Sequence, residues 1–176
     1  MTLPLLAYYG TGRLWKEKRL PGKKQATGAS SRLSGYTDCL NPESSYRAFA
    51  DWLRMETMVD YEQQLAAIER GESVGASIQG RLLRSIQGAV NTVMGPSGWK
   101  NIRFSPSVQE VVAEHPGHGI LPVSTLSDGI RNMIGLVADI AYRAVRLNPH
   151  LGNDAVGSTP GIVLIDEVDM HLHPEC

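Results

Sequence analysis

The chain has 176 residues and 42% hydrophobic content, enough for one compact domain with its own core. It contains no run of about 18 apolar residues, and its start lacks the basic stretch and cleavage site of a signal peptide, so neither a membrane span nor secretion is expected. A net charge of −1 favours no class of charged partner, and Cys39 and Cys176 fit no metal or disulfide spacing, so a reducing cytoplasm is the expected compartment.

The first 40 residues predict a strand followed by a basic loop. Residues 3–9 form an apolar run that ends in a glycine turn, which indicates a short buried strand within a first segment, residues 1–15. Residues 16–40 are rich in Lys, Gly and Ser and read as an exposed loop. Seven basic residues lie between Arg13 and Arg32 against one acid. This loop, residues 13–32, could bind nucleic-acid phosphates, although a solvated loop explains the same composition.

Residues 41–95 predict a helical hairpin. Asn41 followed by Pro42 is typical of a helix start, and Gly71 of a helix end. A second apolar stripe with helical spacing begins at Val74 and ends before Gly95. Two such helices joined by a few residues form a hairpin, which can be a packing unit or a surface for a partner.

Residues 96–176 predict a mixed α/β segment. Short strands are expected at residues 99–104, 108–113 and 120–123, and a long amphipathic helix at residues 127–147. A polar loop at residues 148–160 then leads to a β-branched run, residues 161–165. Such a run is typical of a central parallel strand that is buried on both faces.

Two adjacent carboxylates, Asp166 and Glu167, follow this last strand directly. Because α/β folds bind ligands at the carboxyl ends of their parallel strands, the pair lies where catalytic acids are expected. Adjacent residues of an extended chain point to opposite sides, so the two acids can serve different roles. The alternative is a buried strand that ends in solvated acids.

Ser127, Asp128 and Gly129 stand at the start of the long helix, 39 residues before Asp166. A hydroxyl and a glycine at a helix N-terminus favour anion binding, because the first N–H groups are free and the helix dipole is positive there. The alternative is an ordinary cap, in which Ser127 caps the helix and Asp128 complements the dipole.

The order and spacing of these two elements resemble those of ABC-type ATPases. The Leu126-Ser127-Asp128-Gly129 string resembles the ABC signature, and residues 162–167 resemble Walker B. Residues 166–174, 3–15 and 147–152 are similar to stretches of bacterial RecF/OLD-like ATPases, the AAA-type predicted ATP-binding proteins linked to phage defence and virulence. The resemblance covers nearly the whole chain and implies a partial ABC-type ATPase head, with a mixed or parallel sheet, flanking helices and an inserted hairpin.

The resemblance also implies roles for individual residues. In that family ATP and Mg²⁺ lie between two heads, so a homodimer is expected. Ser127 and Gly129, with Asp128 between them, would contact the γ-phosphate held by the other head. Asp166 would hold Mg²⁺ through ATP, and Glu167 would be the catalytic base. Hydrolysis would control an effector, such as a nuclease or toxin.

No stretch of the chain has the Gly-x₄-Gly-Lys-Ser/Thr pattern of a phosphate-binding P-loop. The family's P-loop would lie before Met1, and its later switch histidine after Cys176. We therefore expect a fragment or one piece of a split protein, with little ATPase activity alone.

Two other functions remain open at this point. His171 and His173 flank one residue and, with nearby acids, could hold Zn²⁺ or Mn²⁺ in a metal-dependent hydrolase. The same histidines could instead belong to a turn after Walker B. A third possibility is a non-catalytic module that binds a partner through the helical hairpin.

Overall fold

The structure, a computed structural model, describes residues 1–10, 31–41, 46–73 and 77–166, and it confirms the α/β class. Within these ranges, four α-helices flank two separate sheets. The strands are β1 Leu5–Tyr9, β2 Lys100–Ser105, β3 Glu110–His115, β4 Gly119–Pro122 and β5 Gly161–Ile165. The helices are α1 Tyr46–Glu69, α2 Ile78–Met94, α3 Asp128–Leu147 and α4 Ala155–Ser158.

The two ends of the described chain meet in a parallel pair of strands, β1 and β5. Leu5 pairs with Gly161 and Tyr9 with Ile165, so the strands are in register along their whole length. Gly161 is required at this approach, since a Cβ there would lie 2.5 Å from the Leu5 carbonyl oxygen. The predicted strands at residues 3–9 and 161–165 are therefore neighbours.

Only one face of this pair is buried within the described residues. Leu5, Ala7 and Tyr9 pack with Ala144 and Leu147 in a small apolar cluster. The side chains of Ile162 and Leu164 on the other face are 62% and 57% exposed. The expectation of burial on both faces was therefore wrong for these ranges. The apolar run in β5 predicts a strand. Whether one face or both faces of this strand are covered depends on other segments of the chain.

The second sheet is antiparallel, in the order β2-β3-β4, and it packs against the predicted hairpin of α1 and α2. The main core lies between them. Its largest buried members come from the hairpin, the sheet and the first half of α3: Phe49, Trp52, Ile86, Val90, Ile102, Phe104 and Ile134. Helix α3 also packs on β1, so it is the element shared by both cores.

Two segments predicted to be loops contain helical turns. Residues 148–160 hold a 3-10 segment, Pro149–Asp154, followed by α4. Residues 16–40 hold a 3-10 turn, Arg32–Tyr36, whose Gly35 is buried against Leu147. Short helical turns lack the long apolar periodicity that identifies an α-helix in sequence, which explains both errors.

Some predicted boundaries are matched and others lie outside the described residues. Helix α1 ends at Glu69, and Gly71 takes a φ of 69°, as expected for a helix-ending glycine. The expected start at Pro42 and the second helix's beginning at Val74 lie outside the described residues. Across the part of the chain that the structure describes, no helix is both long and apolar enough to cross a bilayer. The proposed division into four segments stays a prediction.

Candidate functional site

Asp166 lies where the sequence placed it, at the carboxyl end of β5. Its backbone N–H donates to the Tyr9 carbonyl oxygen over 2.9 Å, and this bond extends the β1–β5 pairing by one step. The residue is exposed, so its carboxylate is accessible to a ligand. Carboxylate oxygens are the ligands that Mg²⁺ prefers, and the position therefore fits the predicted metal role. Glu167, His171 and His173 lie outside the described residues.

Ser127 occupies the N-cap position of α3 without acting as a side-chain cap. Its backbone is extended (φ −59°, ψ 152°), and its hydroxyl accepts no hydrogen bond from the first turn of its helix. Ser77, at the same position of α2, does accept one from the Gly80 N–H over 2.8 Å. Ser127 is exposed, and its side chain does not form the ordinary cap that the sequence left open. Anion binding at this helix start stays a prediction.

Asp128 forms an ion pair with Arg131, one turn later on the same helix. Arg131 also donates from Nη1 to the Ser124 carbonyl oxygen over 3.3 Å, which joins the helix start to the preceding 3-10 turn, Val123–Thr125. The pair partly cancels a carboxylate charge that would repel a phosphate. Sequence reasoning singled out Asp128 but missed Arg131, although their spacing of three residues on a helix is a recognisable signal.

The two candidate sites lie far apart within one chain. The Tyr9 hydroxyl donates to Asp139 Oδ2 over 2.7 Å, so the end of β1, and Asp166 beside it, lie level with the middle of α3. Ser127 is twelve residues earlier. At 1.5 Å per residue, Ser127 lies about 18 Å from Asp139 along the helix axis. Within one chain, Ser127 therefore lies at the start of α3, whereas Asp166 lies nearer the middle of this helix.

A buried polar network lies between β1 and α3, and sequence reasoning missed it. Asp139 Oδ2 accepts from the Tyr9 hydroxyl and from Arg143 Nε, the latter over 2.8 Å. Burial raises the pKa of Tyr9 far above its ordinary value, and the Asp139 carboxylate adds to the effect, so the hydroxyl remains a donor. Burial alone would lower the pKa of Arg143, but Asp139 outweighs it and the net shift is upward. The sequence indicates this network through Asp139 and Arg143, which lie four residues apart on the apolar face of a predicted helix.

Arg32 is the only basic residue of loop 13–32 within the described ranges, and it has structural partners. It donates from Nε to the Leu147 carbonyl oxygen over 2.6 Å. Its Nη2 donates to Asn148 Oδ1 and to the Met1 carbonyl oxygen, each over 3.0 Å. Arg32 therefore holds the chain start against the end of α3. The other six basic residues of this loop lie outside the described residues, and the nucleic-acid prediction stays untested.

A metal centre made of protein ligands alone finds no support in the described ranges. They contain no group of three His, Cys, Asp or Glu side chains close enough to share a metal ion. A metal at Asp166 would need further ligands from its substrate or from water, as Mg²⁺ bound with a nucleotide commonly has.

Comparison with known proteins finds relatives that are described as probable ATPases. No protein-family model matches the chain. It is 27% identical over 210 aligned positions to the Retron Vc95 probable ATPase of Vibrio cholerae, an alignment that covers 99% of this chain and 40% of the relative. It is 30% identical over 115 positions to the Retron Ec83 probable ATPase of Escherichia coli, which covers 65% of this chain and 20% of the relative. The chain thus spans less than half the length of these relatives, and both carry the description of probable ATPase.

Proposed function

We propose that the chain is part of an ATPase head that binds and hydrolyses ATP with Mg²⁺ at an interface between two heads. The observation that carries this proposal is that Ser127 lies at the start of α3, whereas Asp166 follows β5 and lies nearer the middle of that helix, and that both residues are exposed. Such a chain can contribute to two sites but complete neither. A two-fold dimer would bring Ser127 of one head opposite Asp166 of the other.

Each residue has a distinct task in this proposal. The carboxylate of Asp166 helps to hold Mg²⁺ on ATP, and the metal supplies charge stabilisation to the phosphates. Glu167 accepts the proton of the attacking water. The Ser127 hydroxyl and the Gly129 N–H donate to the γ-phosphate from the opposite head, and Arg131 offsets the charge of Asp128. The β- and γ-phosphates need a P-loop from a further segment.

The biological setting follows from the relatives. Since they are called retron probable ATPases, the proposed role is a defence-related ATPase of the cytoplasm. Hydrolysis would open and close the dimer and so control an effector, such as a nuclease or toxin. Binding of nucleic acid through residues 13–32 remains part of the same proposal.

The first experiment measures ATP binding and Mg²⁺-dependent turnover. The chain alone is compared with the chain extended by its upstream sequence, each beside the Glu167→Gln variant. We expect only the extended form to turn over ATP, and Glu167→Gln to stop turnover while binding persists. Strong turnover by the 176-residue chain alone would contradict the proposal, and so would an extended form that binds no nucleotide.

A mixing experiment tests the shared site directly. Ser127→Ala and Glu167→Gln should each inactivate a homodimer of the extended form. Their mixture should recover roughly a quarter of the wild-type rate, because half of the dimers are mixed and each keeps one intact site. No recovery on mixing would mean that Ser127 and Glu167 of the same chain act in one site, and it would refute the two-head arrangement.

A non-catalytic interaction module is the second candidate, and the surface of α1 favours it. Several large apolar side chains of this helix are exposed, among them Met55, Leu65 and Ile68 at 54%, 60% and 60%. Capture of the same partner by the wild type and by Glu167→Gln, with no response to ATP, would support this reading. Loss of capture on Leu65→Glu, with Gln63→Glu as the matched exposed control, would locate the surface.

A further inference from the structure

The polar network between β1 and α3 is buried as deeply as the apolar core. Tyr9, Asp139 and Arg143 are 1%, 2% and 4% exposed. Asp139 lies at the centre and accepts from both neighbours through the same oxygen, Oδ2. A hydroxyl and two opposite charges are thus almost wholly removed from water.

Burying such a network costs more free energy than holding two elements together by apolar contacts. Removing charges from water costs several kcal/mol per ion, and apolar replacements of buried ion pairs are often neutral or stabilising. Hydrogen bonds, unlike apolar contacts, fix direction and distance. A buried network of this kind therefore suits a place where the relative position of two elements matters.

The network joins three parts of the fold at one point. Arg143 Nη1 donates to the carbonyl oxygens of Gly35 and Thr37 over 3.0 and 2.9 Å. The following residues of the same segment also reach β1, since the Tyr8 N–H donates to the Cys39 carbonyl oxygen over 2.7 Å. Helix α3, strand β1 and residues 35–39 are thus bonded to one another. None of these bonds is local in sequence.

The backbone of Tyr9 carries this restraint to Asp166. Its carbonyl oxygen accepts the Asp166 N–H, which is the last bond between β1 and the end of β5. The ring of Tyr9 points to α3, and its carbonyl points to the neighbouring strand. The residue is therefore bonded to α3 through its hydroxyl and to the candidate Mg²⁺ ligand through its main chain.

We propose that Tyr9, held by Asp139 and Arg143, is a positioning residue that fixes Asp166 at a set place relative to helix α3. This inference rests on the proposed function, in which Asp166 helps to hold Mg²⁺ and α3 begins with the Ser127 turn. The network keeps Asp166 and the Ser127 turn of one head at a constant separation. When two heads close on each other, both groups would then meet their counterparts on the other head at the same time.

The first test measures backbone hydrogen exchange in the 176-residue chain. Tyr9→Phe removes only the hydroxyl, and Tyr8→Phe is the matched control on the opposite face of the same strand. Asp139→Asn is a second variant that keeps the shape of the side chain and removes its charge. Amides of β2 and β3, such as those of Ile102 and Val112, report the stability of the whole fold.

We expect Tyr9→Phe to speed exchange of the Asp166 amide about tenfold, which corresponds to one buried hydrogen bond to a charged group. Exchange in β2 and β3 should stay unchanged, and Tyr8→Phe should leave both regions unaltered. Equal acceleration throughout the chain would make the network a general stabiliser and overturn the inference. Unchanged exchange at Asp166 would overturn it as well.

The second test uses the ATP-hydrolysing form of the protein and varies free Mg²⁺ at saturating ATP. Tyr9→Phe should raise the Mg²⁺ concentration for half-maximal turnover about tenfold, because a misplaced ligand weakens coordination. The KM for ATP should change little. An unaltered Mg²⁺ response in an active enzyme would refute the positioning role alone. Absence of turnover in the wild type would refute the proposed function instead, and the exchange result would then decide whether Tyr9 fixes the strand end.

Discussion

Asn148 offers the sharpest test of how the two ends of the chain are held together. The residue is fully buried. Its Oδ1 accepts from the Leu3 N–H over 2.8 Å and from Arg32 Nη2 over 3.0 Å. Its Nδ2 donates to the Leu3 carbonyl oxygen over 2.8 Å and to the Thr159 hydroxyl over 3.0 Å. One side chain thus joins the residues before β1 and those before β5.

Asn148→Ala would remove all four bonds at once. At a net value of about 1 kcal/mol per bond, the upper figure for the loss in unfolding free energy is ~4 kcal/mol. The three partner residues, Leu3, Arg32 and Thr159, are all half-buried, so water can replace part of the loss. We therefore expect a loss of about 2–4 kcal/mol, or a Tm lower by roughly 10 °C for a chain of this size.

The assay is urea unfolding followed by far-UV circular dichroism, with Asn153→Ala as the control. Asn153 is exposed and lies five residues further along. The Asn153→Ala substitution should change the unfolding free energy by less than about 0.5 kcal/mol. If Asn148→Ala costs no more than this control, the four bonds do not hold the chain ends, and the account of β1–β5 pairing is wrong.

Three further outcomes follow from single side chains. Ser127→Ala should leave the unfolding free energy within about 0.5 kcal/mol of wild type, whereas Ser77→Ala, which removes a true cap, should cost about 1 kcal/mol in the same urea assay. Gly161→Ala should lower Tm strongly, since its Cβ would meet the adjacent strand's carbonyl, while Gly157→Ala, with open space around it, should not. Burial raises the pKa of Glu56 despite the nearby cation, so its charged form destabilises the fold. Glu56→Gln should therefore raise Tm at pH 7.5, and this gain should vanish once the pH falls below about 4.5, where the carboxyl is protonated in both states.

The sequence determined the elements whose signals are local. Helix α3 and strand β5 were predicted from periodicity, with bounds within one residue of those observed. Their ends also identified Ser127 and Asp166 as candidates, because helix starts and strand ends have fixed chemistry whatever surrounds them. The relatives are described as probable ATPases, and the roles of Ser127 and Asp166 stay predictions.

Only the tertiary structure decided how these elements meet. The partner of β5 is β1, more than 150 residues earlier, and the separation of Ser127 from Asp166 depends on that pairing. The roles of Tyr9 and Asn148 depend on it too, since their bonds cross 130 and 145 residues of sequence. A pattern of apolar residues shows which face of an element is buried. It does not show which distant polar group completes a hydrogen bond, because that choice is made by the three-dimensional packing of the whole domain.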